Sequence, residues 1–382
     1  MGRMIGSVGW GFWGAGAIAH RVAHDLGRVD GAEGVAVASR SIDSARRFAT
    51  THGFARVHAD LAALLDDPEV DVVYIATPPH RHAQDAIACL RGGKAVLCEK
   101  PFALNEPQVI DMIAEARRAG RFCMEAMWMH FIPAVQAARE LVASGALGRV
   151  RMLAGDFAYP TAFDPASPML APELGGGALL DRGVYLVSLA QALLGEPVSV
   201  RANAQLTATG VDEHSAYQMQ YADGATAQLW AGFTVRGTNS VVIVGEKGQI
   251  RLHDPFYSAH RFSVSHDAPA RPMAVGAPAD AGLAARIKRA LAQQGVHRRI
   301  DGLRAAWRHL GSRALPFPGH GYQFELTEVT RCLRAGLHES PLMPLADSQA
   351  VARTMDRLRA SWQPSAHGAE PDGPSAHRSA AR

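Results

Sequence analysis

The segment Glu99-Lys100-Pro101 places an amine where it can take part in chemistry. It follows an apolar run, 95–98, with the length and composition of a buried parallel strand. Parallel sheets bind ligands at the carboxyl ends of their strands. A lysine ammonium there can hydrogen-bond a reacting oxygen atom and stabilise charge developing on it. An isolated lysine at a strand end is usually surface charge, so this interpretation of Lys100 needs support from other segments.

Asp181 and Tyr185 form a second candidate group. They are four residues apart where a glycine-rich stretch opens a helix, so we expect them to share one helix face. A phenol has an unperturbed pKa of about 10, and an adjacent lysine ammonium lowers that pKa by favouring the phenolate. The alternative is that Tyr185 is a half-buried helix tyrosine with no chemical role.

A glycine-rich turn predicts a dinucleotide site. Gly14 and Gly16 lie between a predicted strand, 8–13, and a predicted helix that opens with Ala17 and Ile18. Gly14 permits the tight turn, and Gly16 lets a pyrophosphate approach the backbone at the helix N-terminus. The motif alone is weak evidence, but its position between strand and helix is the expected one.

The residues after the second predicted strand indicate which nicotinamide cofactor binds. A carboxylate there would bind the ribose 2′-hydroxyl and repel a 2′-phosphate. This chain has Ser39-Arg40-Ser41 instead. A guanidinium flanked by hydroxyls suits a phosphate, so we expect NADP(H) rather than NAD(H). The alternative is that Arg40 is an ordinary exposed arginine.

Two patterns of predicted secondary structure divide the chain. The first part alternates strand-like and helical stretches, which predicts parallel strands with crossover helices. After Gly148 come strand-like segments joined by turn dipeptides such as Asp223-Gly224 and Lys247-Gly248, which predict an antiparallel sheet. We expect a dinucleotide-binding Rossmann domain over 1–127 and an α+β domain for substrate binding and oligomerisation over 128–362. We interpret 268–317 as an insertion and 363–382 as a disordered tail.

Composition excludes several classes of protein. With 382 residues, 48% hydrophobic and 20% charged, the chain fits a two-domain globular protein. No long uninterrupted apolar run or signal peptide is evident, so we expect a cytoplasmic protein without a membrane partner. The net charge of +3 is spread out, which disfavours nucleic acid. Four cysteines without ligand-type spacing predict no metal site.

Several motifs together resemble one known superfamily. They are the Gly14 turn, the 92–101 segment around Lys100, the segments 124–128 and 339–345, and the glycine-rich stretch 175–185. The chain resembles the glucose-fructose oxidoreductase/inositol dehydrogenase superfamily, and within it the dimeric dihydrodiol dehydrogenases and NADP-dependent D-xylose dehydrogenases. The resemblance implies an α/β Rossmann domain plus an α+β domain with an open, predominantly antiparallel sheet.

The resemblance also implies residue roles. Tyr185 would be the acid/base, where many members of the superfamily carry histidine. Lys100 would orient and polarise the oxygen, and Asp181 would bind a substrate hydroxyl or orient Lys100. Arg182 departs from the apolar residue usual in this stretch, which leaves substrate identity open.

Further positions follow from the same resemblance. Cofactor-binding positions would include Thr77, Pro78, His82 and Glu99 as well as Lys100. The substrate site would be lined by Trp128 and Phe157 beside Asp181. His82 is equally compatible with a helix N-terminal residue that touches no ligand, and large aromatics are more often core.

The expected activity is NADP(H)-dependent hydride transfer at a CH–OH/C=O carbon of a sugar, dicarbonyl or dihydrodiol. One alternative is a ketoreductase of a nucleotide-linked or decorated sugar, and another is a non-catalytic nucleotide-binding Rossmann protein. Retention of both Lys100 and Tyr185 speaks against the last. We also expect a homo-oligomer, a dimer or a dimer of dimers, because an open sheet would otherwise expose an apolar face.

Overall fold

The computed structural model describes residues 6–161, 167–266 and 311–362. The expected disordered tail, 363–382, lies outside the described residues, as does most of the expected insertion. The described end of that insertion contains a short strand, Ser312–Ala314, which pairs with the second sheet.

The first sheet has six parallel strands in the order β3-β2-β1-β4-β5-β6, which is the Rossmann order. Its central strands are continuous apolar runs because both faces of the sheet are covered. The strands are β1 (Val8–Trp13), β2 (Ala32–Ala38), β3 (Arg56–His58), β4 (Val72–Ile75), β5 (Ala95–Glu99) and β6 (Cys123–Ala126).

Five helices connect these strands: α1 (Ala17–Leu26), α2 (Ile42–His52), α3 (Leu61–Leu65), α4 (His82–Arg91) and α5 (Glu106–Ala119). The α5 start follows from local chemistry, since the Asn105 side chain accepts the Gln108 N–H and Pro107 occupies the first turn. By contrast, the N-cap of α1 is Gly16, which has no side chain to accept a hydrogen bond. The amides of the first α1 turn are therefore available to a ligand.

The second sheet has eight strands in the order β14-β13-β12-β11-β7-β10-β9-β8. Its pairings are antiparallel except between β10 and β7, which confirms the predicted fold class. The strands are β7 (Val150–Ala158), β8 (Ser199–Leu206), β9 (Asp212–Gln220), β10 (Thr226–Gly232), β11 (Val241–Gly245), β12 (Gly248–Leu252), β13 (Arg261–His266) and β14 (Ser312–Ala314).

Helices also join the two sheets. After α6 (Pro133–Ala143), a π-helical turn, Leu179–Gly183, runs directly into α7 (Val184–Leu194). The helix Tyr322–Arg334 packs on α1, and the helix Leu345–Ala360 contacts α5, α7 and β8. The chain therefore returns to its first domain after completing the second sheet.

The open face of the second sheet is more polar than expected. Arg201, Gln218 and Gln228 lie side by side across β8, β9 and β10, beside the partly exposed Trp230. Strand alternation sends the apolar side chains of these strands to the covered face, so the outward positions are mostly polar. These positions do not form the unprotected apolar face on which the expected oligomer was based.

One segment of the described chain, Pro172–Leu194, is long and apolar enough to cross a membrane by length and composition. Of its most apolar 18-residue stretch, 72% is buried inside the fold, as expected for the core helix of a globular protein.

Candidate active site

Two adjoining cavities lie at the carboxyl edge of the first sheet. One measures about 490 Å³ and surrounds the glycine turn, whereas the other measures about 650 Å³ and lies between the two sheets. Thr77 and Pro79 line both. The predicted cofactor residues in the smaller cavity are Gly14, Gly16, Ser39, Arg40, Thr77 and Pro78. The larger cavity is lined by Ile18, Thr77, His82, Glu99, Lys100, Trp128, Phe157, Asp181 and Tyr185.

Of the predicted site residues, only Ala17 lines neither of these two cavities; it is the first residue of α1. Ala17 therefore contributes its backbone at the start of α1 and does not line a cavity wall.

The glycine turn fits a dinucleotide. Gly14 has φ +113°, and a Cβ atom there would lie 2.7 Å from the carbonyl oxygen of Ala76. A side chain is therefore excluded at this position. A Cβ at Gly16 would meet nothing within 4 Å, so the space above this residue is open to a pyrophosphate. When bound there, a nicotinamide dinucleotide supplies or accepts a hydride.

The far end of the smaller cavity is polar and lacks acidic side chains among its described lining residues. Ser39, Arg40, Ser41 and Ser44 lie there, with Arg40 exposed. The Ser41 hydroxyl caps α2 by accepting the Ser44 N–H across 3.3 Å. This end presents a guanidinium and hydroxyl groups to a ligand and no carboxylate that would repel a phosphate.

Lys100 follows β5 directly and precedes a cis peptide bond to Pro101. Its ammonium donates to the Asp181 backbone oxygen across 2.8 Å and to Asp181 Oδ1 across 3.0 Å. Its backbone N–H donates to Glu99 Oε2 across 3.1 Å, and the other Glu99 oxygen accepts from the Tyr74 hydroxyl across 2.6 Å. Lys100 is thus held from both domains, at its backbone by Glu99 and at its ammonium by Asp181, and it lines the larger cavity.

Tyr185 lies in the first turn of α7, and its ring lies 5.0 Å from the Lys100 Nζ atom. Its phenol oxygen accepts a hydrogen bond from Trp128 Nε1 across 2.9 Å. Burial raises the pKa of Tyr185 well above its usual value, as does the nearby carboxylate of Glu99, whereas the Trp128 hydrogen bond lowers that pKa. The structure therefore brings Lys100 and Tyr185 together as predicted.

The expected direction of the Tyr185 pKa shift is wrong. Lys100 was expected to lower this pKa, but its ammonium is paired with Asp181, and burial of the phenol dominates. The surroundings of Tyr185 therefore favour the neutral phenol over the phenolate.

Asp181 is held between two cations. Burial alone would raise the pKa of Asp181, but the charge and hydrogen bond of Lys100 lower it, with help from Arg182. Arg182 Nε lies 3.6 Å from Asp181 Oδ2. The Arg182 guanidinium also donates to the Tyr159 backbone oxygen and to Thr161 Oγ1, each across 2.7 Å, and to the Gly232 backbone oxygen. Arg182 is thus a buried link between the π turn and the second sheet.

His82 connects two loops of the site. Its ring nitrogens lie 2.8 Å from the backbone oxygens of Pro101 and Thr77. Burial lowers the pKa of His82, although the two carbonyl oxygens raise it by favouring the protonated ring. This contact joins the loop after β4 to the turn that carries Lys100.

The aromatic wall of the larger cavity contains two residues that the sequence did not single out. Tyr257 stacks on Phe157 with ring centroids 4.5 Å apart, and Tyr322 packs on Trp128 at the same distance. They come from a short turn after β12 and from the start of the helix Tyr322–Arg334. Neither belongs to a motif, so only the tertiary fold reveals them.

Comparison with known proteins places this geometry in a family. Residues 8–127 match the family model described as an oxidoreductase family with an NAD-binding Rossmann fold, and residues 135–251 match the GFO/IDH/MocA C-terminal domain. The chain belongs to the GFO/IDH/MocA family of NAD(P)-binding oxidoreductases, which confirms the resemblance seen in the sequence.

Similar proteins of known activity span nearly the whole chain. Trans-1,2-dihydrobenzene-1,2-diol dehydrogenase from Bos taurus is 30% identical over 92% of this chain and 95% of its own length. The enzyme of the same name from Xenopus tropicalis is 32% identical over 91% and 96%.

Solved structures share the fold. KijD10, a 3-ketoreductase from Actinomadura kijaniata solved with NADP and TDP-benzene, superposes with a TM-score of 0.74 at 24% identity, over 94% of this chain and 98% of its own. Levoglucosan dehydrogenase, solved with NADH and levoglucosan, gives 0.75 at 21% identity, over 93% and 97%. These neighbours bind different nicotinamide cofactors, so the fold alone leaves the choice between NADP and NAD open.

Proposed function

We propose that this protein is an NADP(H)-dependent oxidoreductase that moves a hydride between nicotinamide and a CH–OH/C=O carbon of a dihydrodiol, sugar or dicarbonyl. One observation carries the proposal. Lys100 and Tyr185, from different domains, line the same cavity, and that cavity shares a wall with the glycine turn. A nucleotide sensor would need the glycine turn but neither the amine nor the phenol.

Tyr185 and Lys100 have different roles at the substrate oxygen. In reduction, the hydride reaches the carbonyl carbon, the C=O π electrons move to oxygen, and the Tyr185 phenol gives that oxygen its proton. Lys100 hydrogen-bonds the same oxygen as negative charge develops on it. Because its pKa is raised, the Tyr185 phenol retains this proton until the reaction. In oxidation, the Trp128 N–H would favour the phenolate that accepts a proton.

The cavity walls support a small cyclic or short-chain substrate. Phe157, Tyr257 and Trp128 offer apolar ring faces, whereas Asp181 offers a carboxylate oxygen to a hydroxyl group. A volume of about 650 Å³ is within the range of small-molecule sites. The relatives named as dihydrobenzenediol dehydrogenases make trans-dihydrodiols the first compounds to test.

The proposed preference for NADP(H) rests on Arg40 and its serine neighbours. A 2′-phosphate at this end would meet a guanidinium, three hydroxyl-bearing residues and no described carboxylate. Bidentate contacts to a phosphate are the role for which arginine is suited.

A substrate panel tests the function. Trans-dihydrodiols, aldoses including D-xylose, and α-dicarbonyls would be followed at the NADPH absorbance band, with NADH in parallel. Turnover of at least one class is expected, and its loss in Tyr185→Phe would tie it to this site. A nucleotide-linked ketosugar in the same panel tests the alternative substrate class. Tight NADPH binding without turnover of any compound class, in either direction, would contradict the proposal.

We also propose that the open face of the second sheet joins two copies of the chain. Trp230 lies on this face among Arg201, Gln218 and Gln228, and Met152 on β7 is 37% exposed. Aromatic, methionine and arginine side chains are enriched at interfaces, and mixed polar faces suit a two-fold contact. Light scattering after gel filtration should give twice or four times the chain mass. A monomer, or an oligomer unaffected by Trp230→Glu, would overturn this assignment.

A further inference from the structure

A buried carboxylate lies at the end of α1, away from Lys100 and Tyr185. The side chain of Asp25 is fully buried, although α1 is otherwise a surface helix with an exposed polar face. Carboxylates are almost never fully buried unless they are paired with cations, hydrogen-bond donors or a metal ion.

The two oxygens of Asp25 have different surroundings. Oδ2 accepts the backbone N–H groups of His320 across 2.8 Å and of Tyr322 across 3.1 Å. Oδ1 faces two imidazoles: His24 Nδ1 lies 3.0 Å away and His320 Nδ1 lies 3.3 Å away. The backbone therefore fixes the carboxylate so that its other oxygen points between two nitrogen ligands, in the way that outer hydrogen bonds orient metal-binding carboxylates.

The spacing fits a small divalent ion. Zn²⁺ binds histidine nitrogen and carboxylate oxygen at about 2.0–2.1 Å in a tetrahedron, whose ligand atoms are then roughly 3.3 Å apart. The two N···O separations match that edge, and each of the three residues offers a ligand atom within 4.8 Å of those of the other two. The side chains of His24 and His320 are 48% and 45% exposed, which leaves a path for the ion and a solvent-facing fourth position.

We propose that His24 Nδ1, His320 Nδ1 and Asp25 Oδ1 bind one divalent transition-metal ion, with Zn²⁺ as the reference metal. Imidazole and carboxylate ligands suit Zn²⁺, Ni²⁺ and Cu²⁺ better than Mg²⁺ or Ca²⁺. No cysteine takes part, so the expectation of no metal site, which rested on cysteine spacing, does not apply to this cluster.

One cation already competes for the same oxygen. Arg28 Nε lies 3.8 Å from Asp25 Oδ1, and the Arg28 side chain is 39% exposed. The guanidinium would have to swing outward when the ion binds, because like charges would otherwise lie side by side. Removing it by Arg28→Ala should therefore tighten metal binding.

Because of its location, the ion would affect the larger cavity. His320, Gly319 and Tyr322 line that cavity, whereas His24 and Asp25 belong to the helix that begins at the cofactor turn. The metal would cross-link the cofactor helix to the cavity wall. It would act on substrate affinity and stability, since none of its ligands contacts Lys100 or Tyr185 in the described interactions.

Calorimetry with the full, tag-free chain after chelator treatment tests the site. ZnCl₂ should bind with one equivalent per chain and raise Tm, because the ion binds the folded state. CoCl₂ should give the visible absorbance of a tetrahedral site. His24→Ala and His320→Ala should each weaken binding by at least about 10-fold, which is the lower end of the loss seen when even an outer partner is removed. Arg28→Ala should strengthen binding.

The matched control is His20→Ala. His20 lies one turn earlier on α1, and its Nδ1 contacts His52 Nε2 across 2.8 Å instead of Asp25. Its replacement should leave the metal affinity unchanged. Failure to bind Zn²⁺ and Co²⁺ stoichiometrically would overturn the proposal, as would unchanged affinity in both His24→Ala and His320→Ala. Loss of binding in His20→Ala alone would also overturn it by moving the site to His20 and His52.

Discussion

The indole N–H of Trp128 donates to the phenol oxygen of Tyr185 across 2.9 Å. It is the hydrogen bond that favours the phenolate, against burial and the nearby Glu99 carboxylate, which favour the neutral phenol. In the proposed mechanism, Trp128 therefore helps to set the pH range in which Tyr185 accepts a proton.

Trp128→Phe should move the pH profile of diol oxidation toward alkaline pH. Oxidation needs the phenolate, and removal of its hydrogen-bond donor raises the pKa of Tyr185 further. The kcat/KM at neutral pH should fall about 5-fold, as expected for about 1 kcal/mol. The measurement is kcat/KM as a function of pH, with Trp362→Phe as control, because Trp362 Nε1 has no hydrogen-bond partner in the described structure. An unshifted profile would remove Trp128 from this role.

Tyr185→Phe should lower kcat by about 10²–10⁴, the loss typical of an acid/base group. NADPH affinity, measured by fluorescence titration, should be unchanged because the phenol lies in the larger cavity. Tyr221→Phe is the matched control, since the Tyr221 hydroxyl has no hydrogen-bond partner in the described structure. Comparable kcat values for the two variants would reject the acid/base role.

Lys100→Met and Asp181→Asn should differ in severity. Lys100→Met removes the ammonium at the substrate oxygen and should lower kcat about 100-fold or more. Asp181→Asn keeps the backbone oxygen that accepts from Lys100, so a milder loss of about 10-fold is expected. Steady-state kinetics with Lys247→Met as control measures both. A greater loss in Asp181→Asn would assign the main role to the carboxylate instead.

Arg182→Leu should destabilise the protein by about 2–4 kcal/mol, because it leaves buried carbonyl groups without their charged donor. Arg182 hydrogen-bonds the Tyr159 backbone oxygen and Thr161 Oγ1 across 2.7 Å each. Urea denaturation measures the free energy of unfolding, and the exposed Arg117→Leu on α5 should change it by less than about 0.5 kcal/mol. Equal stability of the two variants would contradict a bridging role for Arg182.

Arg40→Ala should reduce the ratio of kcat/KM with NADPH to kcat/KM with NADH by roughly 10- to 100-fold, as loss of a charge-assisted hydrogen bond implies. Arg46→Ala, at a surface ion pair with Asp43 on α2, should leave this ratio unchanged. If wild-type protein already prefers NADH, Arg40 does not set the cofactor preference.

The sequence was informative where a function requires a local pattern. Gly14 is needed because a Cβ would strike the Ala76 backbone, and Asn105 with Pro107 defines the start of α5. Such constraints act within a few residues and are therefore readable. The parallel pairing of β10 with β7 was not predicted, because the alternation of side chains along a strand does not record which neighbour it joins.

The sequence did not reveal the site residues that come from segments outside the motifs. Tyr257 and Tyr322 reach the cavity only through the packing of the second sheet and the last helices. The Tyr185 pKa was also misjudged, since the sequence could not show that Lys100 would be paired with Asp181 or how deeply the phenol would be buried. Electrostatics depend on burial, which a local motif does not encode.

Lys100 lies in the dinucleotide-binding domain and Tyr185 in the domain of the second sheet, and Asp181 pairs with Lys100 across this boundary. Severing the chain between β6 and α6 would separate the fragment that carries the amine from the fragment that carries the phenol, so neither fragment would hold the pair on which the proposed reaction depends.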